Sequence, residues 1–171
     1  YHETDAAATM GINKKWGFAH LEFTLFDDLQ AVPDGSRDSA SRRFTKQITD
    51  SDTFRPIVNN GELNSYTIPV VHQHVQQYRV LSTNSFNVYG GQLIMNLGFE
   101  RSVRREFVYP QAPEIAGLYL QLNTGTYDAR YHLQSFAGWD VSAGANGMYQ
   151  ANDVTKGTDF IIPSYRQFDI G

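Results

Sequence analysis

The chain has no cysteine, no long apolar run and no catalytic signature, and each absence removes a class of protein. Without cysteine there is neither a disulfide framework nor a thiolate metal site. Without an apolar run of about 18 residues, and with a mean hydropathy of -0.42, there is no transmembrane helix. No Gly-x-Ser-x-Gly elbow supports a hydrolase triad, and Gly90-Gly91 lacks the Lys-Ser or Lys-Thr of a phosphate loop, so no enzyme is expected. A net charge of -4 with a pI near 5.7 gives no electrostatic footprint for nucleic acid. No secretory signal opens the chain, because Tyr1-His2-Glu3-Thr4-Asp5 is polar and lacks an initiator Met and an apolar core.

What remains is alternation. The 171 residues are 41% apolar, enough for one soluble domain, so composition does not decide between water and membrane. In a barrel strand only every second residue faces lipid, which keeps mean hydropathy low while the alternation carries the signal. In the first segment Ala6, Ala8, Met10 and Ile12 share one face, opposite Asp5, Thr9 and Asn13. The second sets Ala19, Leu21, Phe23 and Leu25 against His20, Glu22, Thr24 and Phe26, and the third runs from His72 to Val88. The fourth sets Leu93, Met95, Leu97 and Phe99 against Gln92, Asn96 and Glu100. The fifth, Leu118 to Leu133, changes phase between Leu118, Leu120, Leu122 and Tyr127, Ala129, Tyr131, so a bulge is expected near Gly125. The sixth starts at Trp139 and alternates to Gln150, and Phe168-Asp169-Ile170-Gly171 has the look of a further strand opening.

The connections are unequal. Lys14-Lys15-Trp16-Gly17, Tyr89-Gly90-Gly91 and Phe136-Ala137-Gly138-Trp139 are short, whereas the stretch of about 33–65, Pro110 to Gly117 and Gln150 to Pro163 are long. Short turns on one side and long loops on the other are the asymmetry of an outer-membrane barrel, with the 33–65 loop outside. The chain is rich in Phe and Tyr, and Trp16, Phe18, Tyr89, Phe107, Tyr109, Phe136 and Trp139 stand near segment ends, where interfacial girdles would use them. Any β-rich protein is also rich in aromatics.

No residue cluster demands chemistry. His72 and His74 share a strand face, with His20 on another, but no third ligand stands at a defined spacing, so no metal and no cofactor are expected. Arg37, Arg42, Arg43 and Lys46 form the best candidate for ligand contact, at the outer mouth where anionic chelates arrive. The plainer alternative is a solvated loop balanced by Asp34, Asp38, Asp50 and Asp52. His20, Glu22, Glu100 and Asn146 are the lumen-facing candidates, lining the path of a ligand or contacting a plug.

The run Leu97-Gly98-Phe99-Glu100-Arg101-Ser102-Val103-Arg104-Arg105-Glu106-Phe107 is followed by Pro113-Glu114-Ile115-Ala116-Gly117-Leu118-Tyr119-Leu120-Gln121-Leu122-Asn123-Thr124. Then come Thr126-Tyr127-Asp128-Ala129-Arg130-Tyr131, Gly147-Met148-Tyr149-Gln150, Gly157-Thr158-Asp159-Phe160-Ile161-Ile162-Pro163-Ser164-Tyr165 and Phe168-Asp169-Ile170-Gly171. Upstream stand Gly17-Phe18-Ala19-His20-Leu21, Arg37-Asp38-Ser39-Ala40-Ser41 and Asn64-Ser65-Tyr66. This succession resembles the middle of the β-barrel of TonB-dependent outer-membrane receptors from Bacteroidota-type bacteria. The resemblance implies an all-β, antiparallel transmembrane barrel of about 22 strands, of which residues 1–171 supply about six and no plug. It also implies active uptake of a large nutrient such as an iron-siderophore, haem, a cobalamin-like cofactor or a glycan. The partners it implies are outer-membrane lipid, the rest of the barrel with its plug, TonB through the N-terminal part, and a surface lipoprotein. A passive porin section and a soluble all-β carbohydrate-binding module are the alternatives.

Overall fold

The computed structural model describes residues 1–32, 35–68, 71–135, 137–153 and 164–171. The strands are β1 (His2–Lys14), β2 (Gly17–Ala31), β3 (His72–Val88), β4 (Gly91–Phe107), β5 (Leu118–His132), β6 (Ser142–Asn152) and β7 (Tyr165–Ile170). They form one seven-stranded antiparallel meander in sequence order, with β1 and β7 at the open edges. The only helix among the described residues is α1 (Asn60–Leu63), a single turn closed by a capping box between Asn59 and Glu62. The expected number of about six strands is corrected to seven, since the opening seen at Phe168 belongs to a strand that begins at Tyr165.

The two short hairpins follow from their turn residues. Tyr89 (φ 50°) and Gly90 (φ 78°) both take the left-handed region that a two-residue hairpin matched to strand twist requires. Lys15 and Trp16 join β1 to β2 across the Lys14–Gly17 pair. The third connection is longer than expected. β5 stops at His132 and β6 starts at Ser142 rather than Trp139, with Ala137 and Gly138 turning at φ 50° and 82°. Leu133 still donates its N–H to the Val141 carbonyl, 2.9 Å away, so the pairing runs one step past the end of the ladder rather than ending sharply. Phe136 lies outside the described residues, as do 154–163, so part of the last long loop does too.

Pairing is continuous through every ladder, and this decides the faces. Antiparallel partners point to the same side, so rows of partners cross the sheet at right angles to the strands. One such row is Met10, Leu21, Ser82, Leu97, Tyr127, Gly147 and Phe168; a second is Ala8, Phe23, Val80, Phe99, Gly125, Tyr149 and Arg166. Two rows nearer the short turns add Ile12, Ala19, Met95, Ala129, Ala145 and Ile170, then Phe86, Leu93, Tyr131 and Ala143. Together they make an apolar band four rows high. Rows lie about 6.7 Å apart along a strand, so the band covers about 27 Å of strand, or about 20 Å along the axis at a barrel tilt of about 40°. The uncharged polar residues Ser82 and Asn84 inside it are tied together: Asn84, itself buried, donates to Ser82 Oγ (2.8 Å) and to the Met95 carbonyl (3.1 Å).

The bulge expected near Gly125 is absent, because β5 pairs with β4 in one register from Leu118 to His132. What changes along β5 is the surroundings. Beyond the band, on the long-loop side, the same face turns polar through Arg101, Arg105, Tyr119, Gln121 and Asn123, and Leu118, Leu120 and Leu122 fall on the opposite face. Phe18 is likewise on the opposite face, beside His20 at 5.0 Å, and so does not join a girdle with Trp16, which stacks on Phe86 at 5.6 Å.

No second layer covers this band. Val103 is the one buried apolar residue among those described, and no side chain is fully enclosed. Leu97, Phe99 and Phe168 are 45, 50 and 62% exposed, in the middle of the sheet and at its edge alike.

Candidate functional site

The face opposite the apolar band is the polar one, and its register brings the candidates together. His20, Thr83, Asn96, Asp128, Asn146 and Asp169 are successive partners, so one polar row runs from β2 to β7. Neighbouring strands lie about 4.8 Å apart, which puts His20 and Asn146 about 19 Å from each other along it. The next rows toward the long loops hold Glu22, then Arg79 directly opposite Glu100. Arg79 reaches Glu22 at 3.5 Å, so the two glutamates stand on either side of one guanidinium. Asp5, Thr24, Gln77, Arg79 and Glu100 line a groove of about 470 Å³ on this face.

The charge on the two faces differs in sign. Glu3, Asp5, Glu22, Asp28, Glu100, Glu106, Asp128 and Asp169 share the polar face with only Arg79, Arg104 and Arg130. Each of those arginines pairs with a carboxylate of the same face: Glu22, Glu106 at 2.5 Å and Asp128 at 2.9 Å. The groove combines its polar groups with Ala6, Ala7, Leu25 and Phe26, and the face around it is acidic. It suits many weak polar contacts with a hydrated cationic or hydroxylated solute, or with a polar protein surface.

The loop cations occupy another part of the molecule and are engaged within it. In the connection between β2 and β3, residues 35–68 fold back through the bridges Arg37–Phe44 and Thr45–Ile57. Arg37 lies 3.8 Å over the Phe44 ring and donates to the Arg42 carbonyl at 3.0 Å. Arg43 donates to the Val58 carbonyl at 3.4 Å, and Lys46 pairs with Glu62. Only Arg42, exposed and held at φ 61°, makes no side-chain hydrogen bond or ion pair within the loop among the described residues. The carboxylates respond to this bonding. Lys46 and the Asn59 N–H hold Glu62 below the ordinary carboxylate range, and the Ser41 N–H and hydroxyl do the same for Asp38. Thr45, buried at the centre, donates through its hydroxyl and its N–H to the Ser36 carbonyl.

Sequence patterns missed Arg79, Asp128 and the network around His74. His74 bridges Asp27 (2.8 Å) and Arg105 (2.9 Å), and Gln76 bonds to both of them, while His72 stacks on Phe107 at 4.6 Å. Strand parity alone placed these residues on a face; their partners become visible only once the register is known. Comparison with protein-family models, curated proteins and solved structures gives no match.

Proposed function

We propose that the chain is part of the barrel wall of a TonB-dependent outer-membrane receptor that actively takes up a large nutrient, an iron-siderophore, haem, a cobalamin-like cofactor or a glycan. The observation that carries the membrane part is the uncovered apolar band on a seven-stranded sheet whose other face is polar across its whole width. A soluble sheet buries its apolar face against another layer; lipid is the remaining cover. A band of about 20 Å along the normal suits the thin bacterial outer membrane. Seven strands are fewer than the smallest common barrels of about eight, so the open edges β1 and β7 pair with further strands of the same wall. On this reading the polar row with His20, Glu22, Glu100 and Asn146 faces the lumen, and the 32–71 connection stands outside the cell. The receptor part rests on the ordered succession of motifs from Gly17 to Gly171 that resembles that family.

With no cysteine among these 171 residues, single introduced cysteines read the topology by comparison with the unsubstituted protein. In the full-length protein on intact cells, a membrane-impermeant maleimide should label Ser51→Cys in the long loop and spare Ala137→Cys in the short turn. The reverse pattern would invert the orientation, and labelling of Leu97→Cys without detergent would remove the barrel. Uptake that stops when TonB is deleted separates the receptor from the passive porin, whose flux would continue.

A further inference from the structure

The cations of the apolar face sit at its borders. Lys14 lies at the short-turn edge of the band, whereas Arg166, Arg101 and Arg105 lie at its long-loop edge, and no charge stands on the rows between. Arg166 lies 5.3 Å from the Tyr149 ring centroid. Arg101 and Arg105 differ from the arginines of the polar face, because among the described residues neither forms an ion pair with a carboxylate. Arg101, which is exposed, donates to Gln121 Oε1 at 2.7 Å, and the Tyr119 hydroxyl donates to the same oxygen at 3.0 Å. Arg105, half-buried, is held by His74 Nδ1 and Gln76 Oε1, and its Nε–H has no partner. The carboxylates of this patch are Asp27, bound by His74 and Gln76, and Asp153, bound by Gln121.

Amides and an imidazole thus fix two guanidiniums in place without a direct ion pair among the described residues, with Asp27 held beside Arg105 through His74 and Gln76, at the level where apolar side chains give way to polar ones. We infer that Arg101 and Arg105 form a docking site for the phosphate-bearing headgroup of an anionic lipid in the leaflet on the long-loop side. This rests on the barrel assignment above. A guanidinium offers paired N–H donors that match phosphate oxygens, and the apolar rows below the two arginines, with Leu97 and Phe99, lie where that lipid's chains would run. Polar-face Arg104 lies between them in sequence but points away and is paired with Glu106, so it provides a control on the same strand.

The test uses the full-length protein in vesicles of phosphatidylglycerol and phosphatidylcholine in equal amounts, followed by native mass spectrometry of the lipids that remain bound. The wild type should retain phosphatidylglycerol preferentially. Arg101→Gln and Arg105→Gln should each lower that preference about fivefold, as expected for one cation near an anionic surface, whereas Arg104→Gln should leave it unchanged. Arg101→Gln keeps the exposed site able to hydrogen-bond Gln121, and protease resistance equal to the wild type confirms that the variant is folded. An equal lipid ratio in wild type and in the double variant would overturn the inference while leaving the barrel intact. A protein that fails to float with either lipid would overturn the barrel assignment, and the lipid site with it.

Discussion

Leu97 and Asn96 are consecutive in β4 and belong to opposite faces of the sheet. Leu97 lies in a row that reads Met, Leu, Ser, Leu, Tyr, Gly, Phe from β1 to β7, and Asn96 in one that reads His, Thr, Asn, Asp, Asn, Asp from β2 to β7. Neither row is enclosed by protein, so burial does not distinguish them, yet their chemistry is nearly exclusive. The difference teaches that the two faces answer to different demands without a core between them, which on the proposed reading are lipid on one side and water on the other.

The sharpest way to break that comparison is to place the same charge on both residues. Leu97→Arg should cost about 2–4 kcal/mol in the folding of the full-length protein in lipid, the penalty for a basic residue near the midplane of a barrel wall. Asn96→Arg, between Thr83 and Asp128 in the acidic row, should change the urea midpoint little. Equal midpoints for the two variants would make the faces equivalent and end the lipid–lumen assignment.

A smaller effect is expected within the apolar face, from two glycines of neighbouring rows. A Cβ at Gly147 would fall 2.6 Å from the Tyr127 hydroxyl and against the Gln167 carbonyl, so Tyr127 and β7 occupy the space a side chain needs. Gly147→Ala should lose about 1–3 kcal/mol. Gly125 has nothing within 4 Å of the corresponding position, and Gly125→Ala should be neutral or gain about 0.5 kcal/mol through the unfolded chain. Both are read from the same unfolding curves, and a loss at Gly125 matching that at Gly147 would refute the packing explanation.

Tyr89 belongs to neither face: it is 98% exposed, and its left-handed φ of 50° is a backbone demand alone. Tyr89→Asn should therefore stabilise the hairpin by about 0.5 kcal/mol in any solvent, since Asn tolerates this region better. Destabilisation in that variant would give the Tyr89 ring a contact role.

The smallest effect contrasts the sheet with the long loop. Glu62 and Asp38 carry depressed pKa values, so their contribution to loop order is complete above the ordinary carboxylate range and is lost as pH falls through the lower folded values. The protection factors of the Asn59, Glu62 and Ser41 amides, taken against the intrinsic exchange rate at each pH, should fall on acidification to about pH 3, below those ordinary pKa values, while those of β3 and β4 stay high. Unchanged protection in the loop would show that its bridges hold it without the carboxylates.

Much of the strand pattern was legible wherever one residue in two had to be apolar. β2 and β4 alternate cleanly through the band, and their faces follow from parity. β5 misled because its leucines at 118, 120 and 122 lie beyond the band, where the polarity of the faces exchanges while the backbone runs straight on. A sequence reports the medium around each residue, and a change of medium mimics a change of register. The polar-face candidates His20, Glu22, Glu100 and Asn146 could be assigned to one face each, but the row linking them and the role of Arg79 need cross-strand pairing. The loop cations were visible as a cluster; their inward bonds to Phe44, Val58 and Glu62 bring together residues 7 to 16 positions apart, which no local pattern reports.

The unbroken ladders also constrain how this sequence can change length. With no bulge to absorb an extra residue, a single insertion in β3 or β4 would turn every following side chain of that strand to the other face, setting Asn96 and Glu100 among Phe23 and Tyr127. Relatives should therefore gain or lose strand residues in pairs, and single-residue indels should collect in 32–71, 108–117 and 133–141, where no face is kept.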